Sequence, residues 1–126
     1  MSQENVEIVQ RIYANWREGT SARSFIAEDV EYVNPPDAVE PGVRIGRAAF
    51  RGIMDSYDDV TVEPERYIDA GDDVVVIARV RAKGRGSGFP INWHHGYVWT
   101  IRGGQAVRFR WFNRPKEALE AVGLSE

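Results

Sequence analysis

The 126-residue sequence contains no cysteine, which excludes disulfide bonds, thiolate nucleophiles and cysteine zinc sites. It also lacks any apolar run long enough to cross a membrane. The segment Met1–Glu4 lacks the basic start and apolar stretch of a signal peptide. We therefore expect a soluble, cytoplasmic protein, and its length is that of a single domain spanning residues 1–126.

Acidic side chains are missing from the segment 74–116. It carries 9 basic residues and no acidic one, whereas residues 1–73 carry 16 acidic and 7 basic residues. This division of charge has three possible physical reasons: complementary packing within the fold, a binding partner or an anionic ligand. It also means that residues 74–116 supply no carboxylate as a general base.

Apolar residues recur at helical spacing in two segments. Between Ser2 and Glu18 they fall on one arc, which predicts an amphipathic helix that ends at Gly19. A second apolar stripe predicts a helix over 47–57. Three prolines and two glycines lie between positions 35 and 46, so we expect a loop there, across one end of the fold.

Alternating apolar residues predict a series of strands. A short early strand ends before two prolines, and four longer ones follow. The five predicted strands are Val30–Asn34, Val60–Ile68, Val74–Lys83, Phe89–Ile101 and Ala106–Phe112. The fourth of these is long, so we expect a bulge in it at Gly96. A last short helix is expected to open after Asn113, at Pro115, and to stop at Gly123.

A two-residue hairpin is predicted at Gly103–Gly104. Counting back from this turn places His94 opposite Asn113, on the same face as Trp111. We take that face as the inner one, because it is mostly apolar beyond the turn. The other face then alternates arginine with aromatic residues, which suits cation–π contacts on a covered outer surface. A bulge near the middle of the strand would place His95 on the inner face instead.

The order of these elements is distinctive. A helix, a strand ending in Asn34-Pro35, another helix and a four-strand meander together resemble the nuclear transport factor 2-like superfamily, in particular its SnoaL-like members. The further similarities are Asp29-Val30-Glu31-Tyr32, Gly84-Arg85-Gly86-Ser87-Gly88, Val98-Trp99-Thr100 and the segment 117–124. The resemblance covers nearly the whole chain. It implies an α+β, cystatin-like cone, in which a curled mixed or antiparallel sheet wraps around N-terminal helices, with a short C-terminal helix. It also implies a pocket at the wide end and a homodimer formed through the sheet.

The same resemblance implies several activities, since the family contains polyketide cyclases, ketosteroid isomerase, dehydratases and members with no catalytic role. Family isomerases carry a carboxylate base where this chain has Asn34, and a hydrogen-bonding acid on the long strand near His94. Many SnoaL-like members carry an aspartate at the position of Asn113. Asparagine cannot accept a proton at neutral pH, so a mechanism with two carboxylates does not transfer to this chain.

His94 is therefore the candidate for proton transfer, because a histidine titrates near neutral pH; a core histidine bonded to Asn113 is the alternative. Tyr13, on the buried stripe of the first helix, is the candidate to polarise a carbonyl, or it is ordinary core. Asn34 and Asn113 are candidates to position the substrate, although Asn113 also suits a helix N-cap. The remaining candidates either line the pocket or form plain core: Trp16, Tyr32, Phe50, Met54, Trp93 and Trp111.

These residues predict a protein that binds a small apolar or carbonyl-containing molecule. The chemistry expected is that of an isomerase, cyclase or dehydratase without a cofactor; the alternative is a non-catalytic dimeric ligand-binding or regulatory module. No metal is expected, because adjacent His94 and His95 point to opposite faces of a strand. A nucleic-acid platform is the third option, formed by Arg79, Arg81, Arg108, Arg110, Tyr97 and Trp99. The net charge of −3 argues against it.

Overall fold

The computed structural model describes residues 2–125, without the side chains of Ser2, Ile53 and Met54. Helices and strands follow one another in this range as α1 (Ser2–Arg17), β1 (Ile26–Asn34), β2 (Gly42–Ile45), α2 (Gly52–Ser56), β3 (Tyr57–Ala70), β4 (Asp73–Gly84), β5 (Pro90–Arg102), β6 (Gln105–Phe112) and α3 (Pro115–Ala121). Two 3₁₀ turns, Arg23–Phe25 and Arg47–Arg51, precede β1 and α2. The predicted α+β fold is confirmed.

The strands form one curled sheet in the order β2-β1-β6-β5-β4-β3. β1 runs parallel to β6 and the other neighbouring strands are antiparallel, so the sheet is mixed. The inner face packs against α1 in the main core, which includes Val9, Ile12, Val76, Trp99 and Phe109. The outer face carries α3 over a smaller core of Val75, Ile77, Val98, Ala118 and Leu119. None of the helices among residues 2–125 has the length and apolarity of a membrane span.

Two predicted elements are wrong in detail. The predicted loop 35–46 contains β2. All residues of β2 are exposed, so its sequence does not show the alternation of apolar and polar residues that marks a half-buried strand. The predicted helix over 47–57 is a 3₁₀ turn followed by the five-residue α2. It stops early because Tyr57 already pairs with Gly84 as the first residue of β3.

The predicted register between β5 and β6 is correct only next to the turn. Gly103–Gly104 adopts positive φ angles of 60° and 81°, and Arg102 pairs with Gln105 as expected. The register then shifts, because Val107 is an extra residue in β6, and Trp99 pairs with Phe109. The bulge therefore lies in β6 and not at Gly96. A shift of one residue exchanges the two faces of a strand, so every inward assignment made for β5 from the turn was wrong.

Strand pairing explains the division of charge along the chain. Acidic strands β1 and β3 lie beside basic strands β6 and β4. Arg108 Nε lies 2.9 Å from Glu31 Oε1, and Arg79 Nε lies 3.9 Å from Glu65 Oε2. The further outer-face pairs are Arg81 with Glu63, Lys83 with Asp59 and Arg110 with Asp73. The arginine row is thus matched by carboxylates. The two aromatic residues of the predicted nucleic-acid platform are buried on the inner face, so that platform does not form.

Gly96 lets α3 approach the sheet. A Cβ built on Gly96 would lie 2.6 Å from the Ala118 Cβ and 3.0 Å from the Pro115 Cα. The glycine makes room for this helix and not for the Trp111 indole, since its missing side chain belongs to the outer face. α3 begins with Pro115 at its first turn, and Arg114 is its N-cap. Asn113 is therefore not the N-cap.

Candidate functional site

His95, and not His94, lies on the inner face of β5. Its side chain is 8% exposed. The imidazole stacks on Trp93 at a centroid distance of 5.4 Å and lies 5.6 Å from the Trp111 ring. Its Nδ1 lies 3.2 Å from the hydroxyl oxygen of Tyr97, within hydrogen-bonding distance. A single titratable group is thus enclosed by aromatic faces near one end of the core.

The imidazole of His95 is held in its neutral form. Burial, with a smaller contribution from the neighbouring His94, lowers its pKa from 6.5 to about 4. A histidine with this pKa is neutral at physiological pH. It can therefore exchange hydrogen bonds with a ligand without bringing a positive charge to it.

This pKa predicts how stability depends on pH. The unfolded chain titrates near 6.5 and the folded chain near 4, so the unfolded state binds more protons between these values. The stability contributed by His95 is therefore complete above pH 6.5 and is lost as pH falls to 4. We expect His95 to lower the free energy of unfolding by about 2 kcal/mol over this range. Urea unfolding at pH 7, 5.5 and 4 would measure the slope. His95→Phe should remove this contribution to the pH dependence of the free energy of unfolding. The same pH dependence in both proteins would contradict a buried neutral histidine.

His94 lies on the outer face, which corrects the predicted assignment. Its Nε2 lies 2.8 Å from Glu65 Oε1, and its side chain is 42% exposed. The hollow predicted between His94, Trp111 and Asn113 is therefore wrong. The physical reason is the bulge in β6, which pairs Phe109 and Trp111 with odd-numbered residues of β5, so that those residues share the inner face.

Two hydrogen bonds join the end of β1 and the loop after it to the end of β6 and the residue after it. Trp111 Nε1 donates to Asn34 Oδ1 over 2.5 Å, and Asn113 Nδ2 donates to Asp37 Oδ2 over 3.0 Å. Both asparagines were predicted to position a ligand, and both are engaged with the protein. Asp37 is exposed and places a carboxylate beside Asn113.

Tyr13 lies deeper in the core than the His95 cluster. Its side chain is 5% exposed, and its hydroxyl oxygen accepts a hydrogen bond of 3.1 Å from Trp99 Nε1. Burial, with nearby Tyr97, raises its pKa well above the usual range, so it stays protonated. The tyrosine that contacts the inward histidine is Tyr97.

The predicted apolar residues divide into two groups. Trp93 and Trp111 flank His95, and the ring of Tyr57 lies edge-on to Trp93 at 5.3 Å. The second group consists of Trp16 and Phe50, which contact Trp99, and Tyr32, which contacts Phe50. The Met54 side chain lies outside the described residues. Two surface hollows lie beside α3 and beside α1, and His95 lines neither of them.

The arrangement offers aromatic faces for stacking and a few groups for hydrogen bonds. Residues 9–109 match the family model of the SnoaL-like domain. The chain belongs to the SnoaL-like family. No curated protein matches this SnoaL-like sequence. Across the described residues, no group of three or more His, Asp or Glu side chains is arranged to hold a metal ion.

Solved structures share the SnoaL-like fold at low identity. An NTF2-like protein of unknown function from Burkholderia pseudomallei is 20% identical, with a TM-score of 0.75 over 98% of this chain and 99% of that chain. TerC, co-crystallised with polyporic acid, is 23% identical, with a TM-score of 0.73 over 94% and 98%. A protein with a ketosteroid isomerase-like fold from Catenulispora acidiphila, in complex with trimethylamine, is 23% identical, with a TM-score of 0.69 over 94% and 93%.

Sequence reasoning kept His95 only as the alternative to His94, and it missed Tyr97 and Tyr57 as members of this SnoaL-like site. One signal was available for the first two. His95 and Tyr97 belong to a run whose odd-numbered positions are all aromatic from Trp93 to Trp99. That pattern favours burial of the odd-numbered face of β5, independently of the hairpin register.

Proposed function

We propose that this SnoaL-like protein binds a small, uncharged, largely apolar molecule and acts on it by acid–base chemistry, with His95 as the polar group that faces the substrate. The observation that carries the proposal is the buried neutral imidazole between Trp93 and Trp111. Isomerase, cyclase and dehydratase reactions all need a group that exchanges a proton or a hydrogen bond inside an apolar site. His95 takes the place that the sequence prediction gave to His94.

The electrostatics of the site support an uncharged ligand. The polar groups placed around His95 are the hydroxyl of Tyr97, the indole N–H of Trp111 and the amide of Asn34. The arginines of β4 and β6 lie on the outer face in ion pairs. An anionic ligand would lose its hydration at the inner face without meeting one of these cations. An uncharged ligand avoids this cost.

Asp37 is proposed as the carboxylate that accompanies His95. It is exposed, and its Oδ2 accepts a hydrogen bond from Asn113, which positions the carboxylate. In an isomerisation next to a carbonyl, such a carboxylate takes a proton from carbon and returns it to another carbon, while His95 binds the oxygen. Tyr13 is proposed only to support the wall behind the ligand, because its hydroxyl oxygen accepts a hydrogen bond from Trp99.

The ligands of similar structures support a small-molecule site. The Catenulispora protein carries trimethylamine, and TerC was crystallised with polyporic acid. We propose that this chain also binds a small molecule, but we do not propose either of those two ligands for it. The second aromatic group of Trp16, Tyr32 and Phe50 would contact its apolar body, and Met54 is proposed to do the same.

A homodimer formed through the sheet is also proposed, together with a cytoplasmic location. The outer edge of the sheet carries exposed apolar side chains on β2, Val43 and Ile45, which pair with Val33 and Glu31. A second copy packed there would cover them. Light scattering of the purified protein tests the dimer, and a monomeric mass would contradict it. Fractionation of the source cells tests the location, and recovery outside the cytoplasm would contradict it.

Ligand binding is tested with a panel of molecules that share one size and differ in charge. Trp93 and Trp111 should report binding near His95 by a change in tryptophan fluorescence. We expect 1-tetralone to bind and the matched carboxylate 1-naphthoate to bind at least about tenfold more weakly, because its charge must be desolvated. Trp111→Phe should reduce the signal. Tighter binding of the carboxylate, or no fluorescence change with any uncharged member, would contradict the proposed function.

A further inference from the structure

The contact between His95 and Tyr97 can be made in two ways. The Nδ1 and hydroxyl oxygen are 3.2 Å apart, and both side chains are buried, with exposures of 8% and 7%. Either the phenol donates its proton to Nδ1, or Nδ1 carries a proton and donates it to the phenol oxygen. The choice decides which nitrogen of the imidazole bears hydrogen, and hence what His95 offers to a ligand.

The phenol is the better donor of the two. Burial raises the pKa of Tyr97, with a further contribution from Tyr32, so its hydroxyl keeps its proton. A buried hydroxyl proton needs an acceptor. Among the described residues, the hydrogen-bond partner of this hydroxyl is His95. If Nδ1 carried hydrogen, the hydroxyl proton would be left without an acceptor at a buried position. If Nδ1 is unprotonated, one hydrogen bond satisfies both groups.

We infer that Tyr97 donates to Nδ1 and thereby fixes His95 as the tautomer protonated at Nε2, so that the inner face presents an N–H donor for a carbonyl oxygen. Tyr97 is then a positioning residue, since it acts through His95. This inference rests on the proposed function and narrows it to ligands that carry an acceptor. It also gives His95 the role of a hydrogen-bond donor instead of a base.

The geometry of the ring supports this role. Nε2 is the imidazole nitrogen farther from the backbone, and none of the hydrogen bonds of the described residues uses Nε2 of His95. Because the ring is neutral at pH 7, it binds an uncharged carbonyl without bringing a counter-charge. If the carbonyl oxygen gains negative charge during reaction, a fixed N–H donor stabilises it more strongly than water does.

The tautomer can be measured directly in the free protein. Long-range ¹H–¹⁵N correlation spectra of ¹⁵N-labelled protein at pH 7 distinguish a protonated ring nitrogen from an unprotonated one, and His94→Phe leaves His95 as the remaining histidine to be assigned. We expect hydrogen on Nε2 of His95. In Tyr97→Phe the signals should move toward a mixture of tautomers. Hydrogen on Nδ1 in the unmodified protein would overturn the inference.

A binding experiment tests the consequence for ligands. We expect 1-tetralone to bind about tenfold more tightly than tetralin, the hydrocarbon without the carbonyl, because one hydrogen bond is gained. His95→Phe should abolish this preference, and His95→Gln, which keeps an N–H donor, should retain part of it. Equal binding of both probes would overturn the donor role. If neither probe binds, the proposed function fails, while the NMR measurement still decides the tautomer.

Discussion

Replacing His95 with phenylalanine is expected to lower kcat by about 100-fold or more for any substrate that the ligand panel identifies. Phenylalanine keeps a flat ring that can stack on Trp93 and pack against Trp111, so the apolar enclosure is preserved. What is lost is the pair of ring nitrogens. The change removes the hydrogen bond to the substrate and leaves the hydroxyl of Tyr97 without its partner. Steady-state kinetics at pH 7 would measure the effect.

The matched control is the same substitution one residue earlier. His94→Phe makes an identical chemical change on the outer face, where the side chain contacts Glu65. We expect kcat to stay within about twofold of the unmodified protein, since this residue does not face the substrate. Thermal unfolding of both variants should show that each is folded. If His94→Phe loses activity and His95→Phe keeps it, the assignment of the inward histidine is wrong. If neither loses activity, the protein binds its ligand without His95 chemistry.

Replacing Gly96 with alanine is expected to lower the free energy of unfolding by about 2 to 3 kcal/mol. The new Cβ would lie 2.6 Å from the Ala118 Cβ and 3.3 Å from the Arg114 carbonyl oxygen, so α3 must move away from the sheet. Moving α3 would weaken the outer core formed with Val75 and Val98. Since a domain of this size loses a few degrees of Tm for each kcal/mol, we expect Tm to fall by about 10 °C.

Gly52→Ala is the control for this prediction. Gly52 has an ordinary helical φ of −55°, and no atom lies within 4 Å of the position that an alanine methyl would take. Alanine there should therefore be neutral or stabilising by up to about 1 kcal/mol. The double variant Gly96→Ala with Ala118→Gly should recover part of the loss, because the nearest methyl is removed. The Pro115 Cα at 3.0 Å still limits the recovery. Equal stability of the two single alanine variants would contradict the close approach of α3.

Local patterns predicted the elements whose burial is decided within a few residues. The apolar arc of Ser2–Glu18 predicted α1, because one face of that helix is buried and the other is not. The glycine pair at 103–104 predicted a hairpin turn, because both residues adopt positive φ. β2 could not be predicted in this way, since all four of its residues are exposed.

The bulge at Val107 could not be derived from the turn. The bulge allows two contacts on opposite faces of the sheet to form at the same time. With the bulge, Trp99 packs on Phe109 inside the sheet, while Arg108 still reaches Glu31 outside it. Without it, an arginine of β6 would share the inner face with an aromatic residue of β5. The segment 26–34 and α1 supply the contacts that decide between these registers, and they lie about 75 residues or more away in the chain.

By itself, the sequence determined that an amphipathic helix precedes a series of strands, that two histidines alternate on the long strand β5, and that residues 74–116 supply no carboxylate. Only the tertiary structure decided which histidine is enclosed and which meets Glu65 at the surface. The physical reason is that side chains of a strand alternate with a period of two. One extra residue in β6 therefore changes which face of β5 lies on the same side as the aromatic residues of β6. The packing of the whole sheet determined where that residue lies.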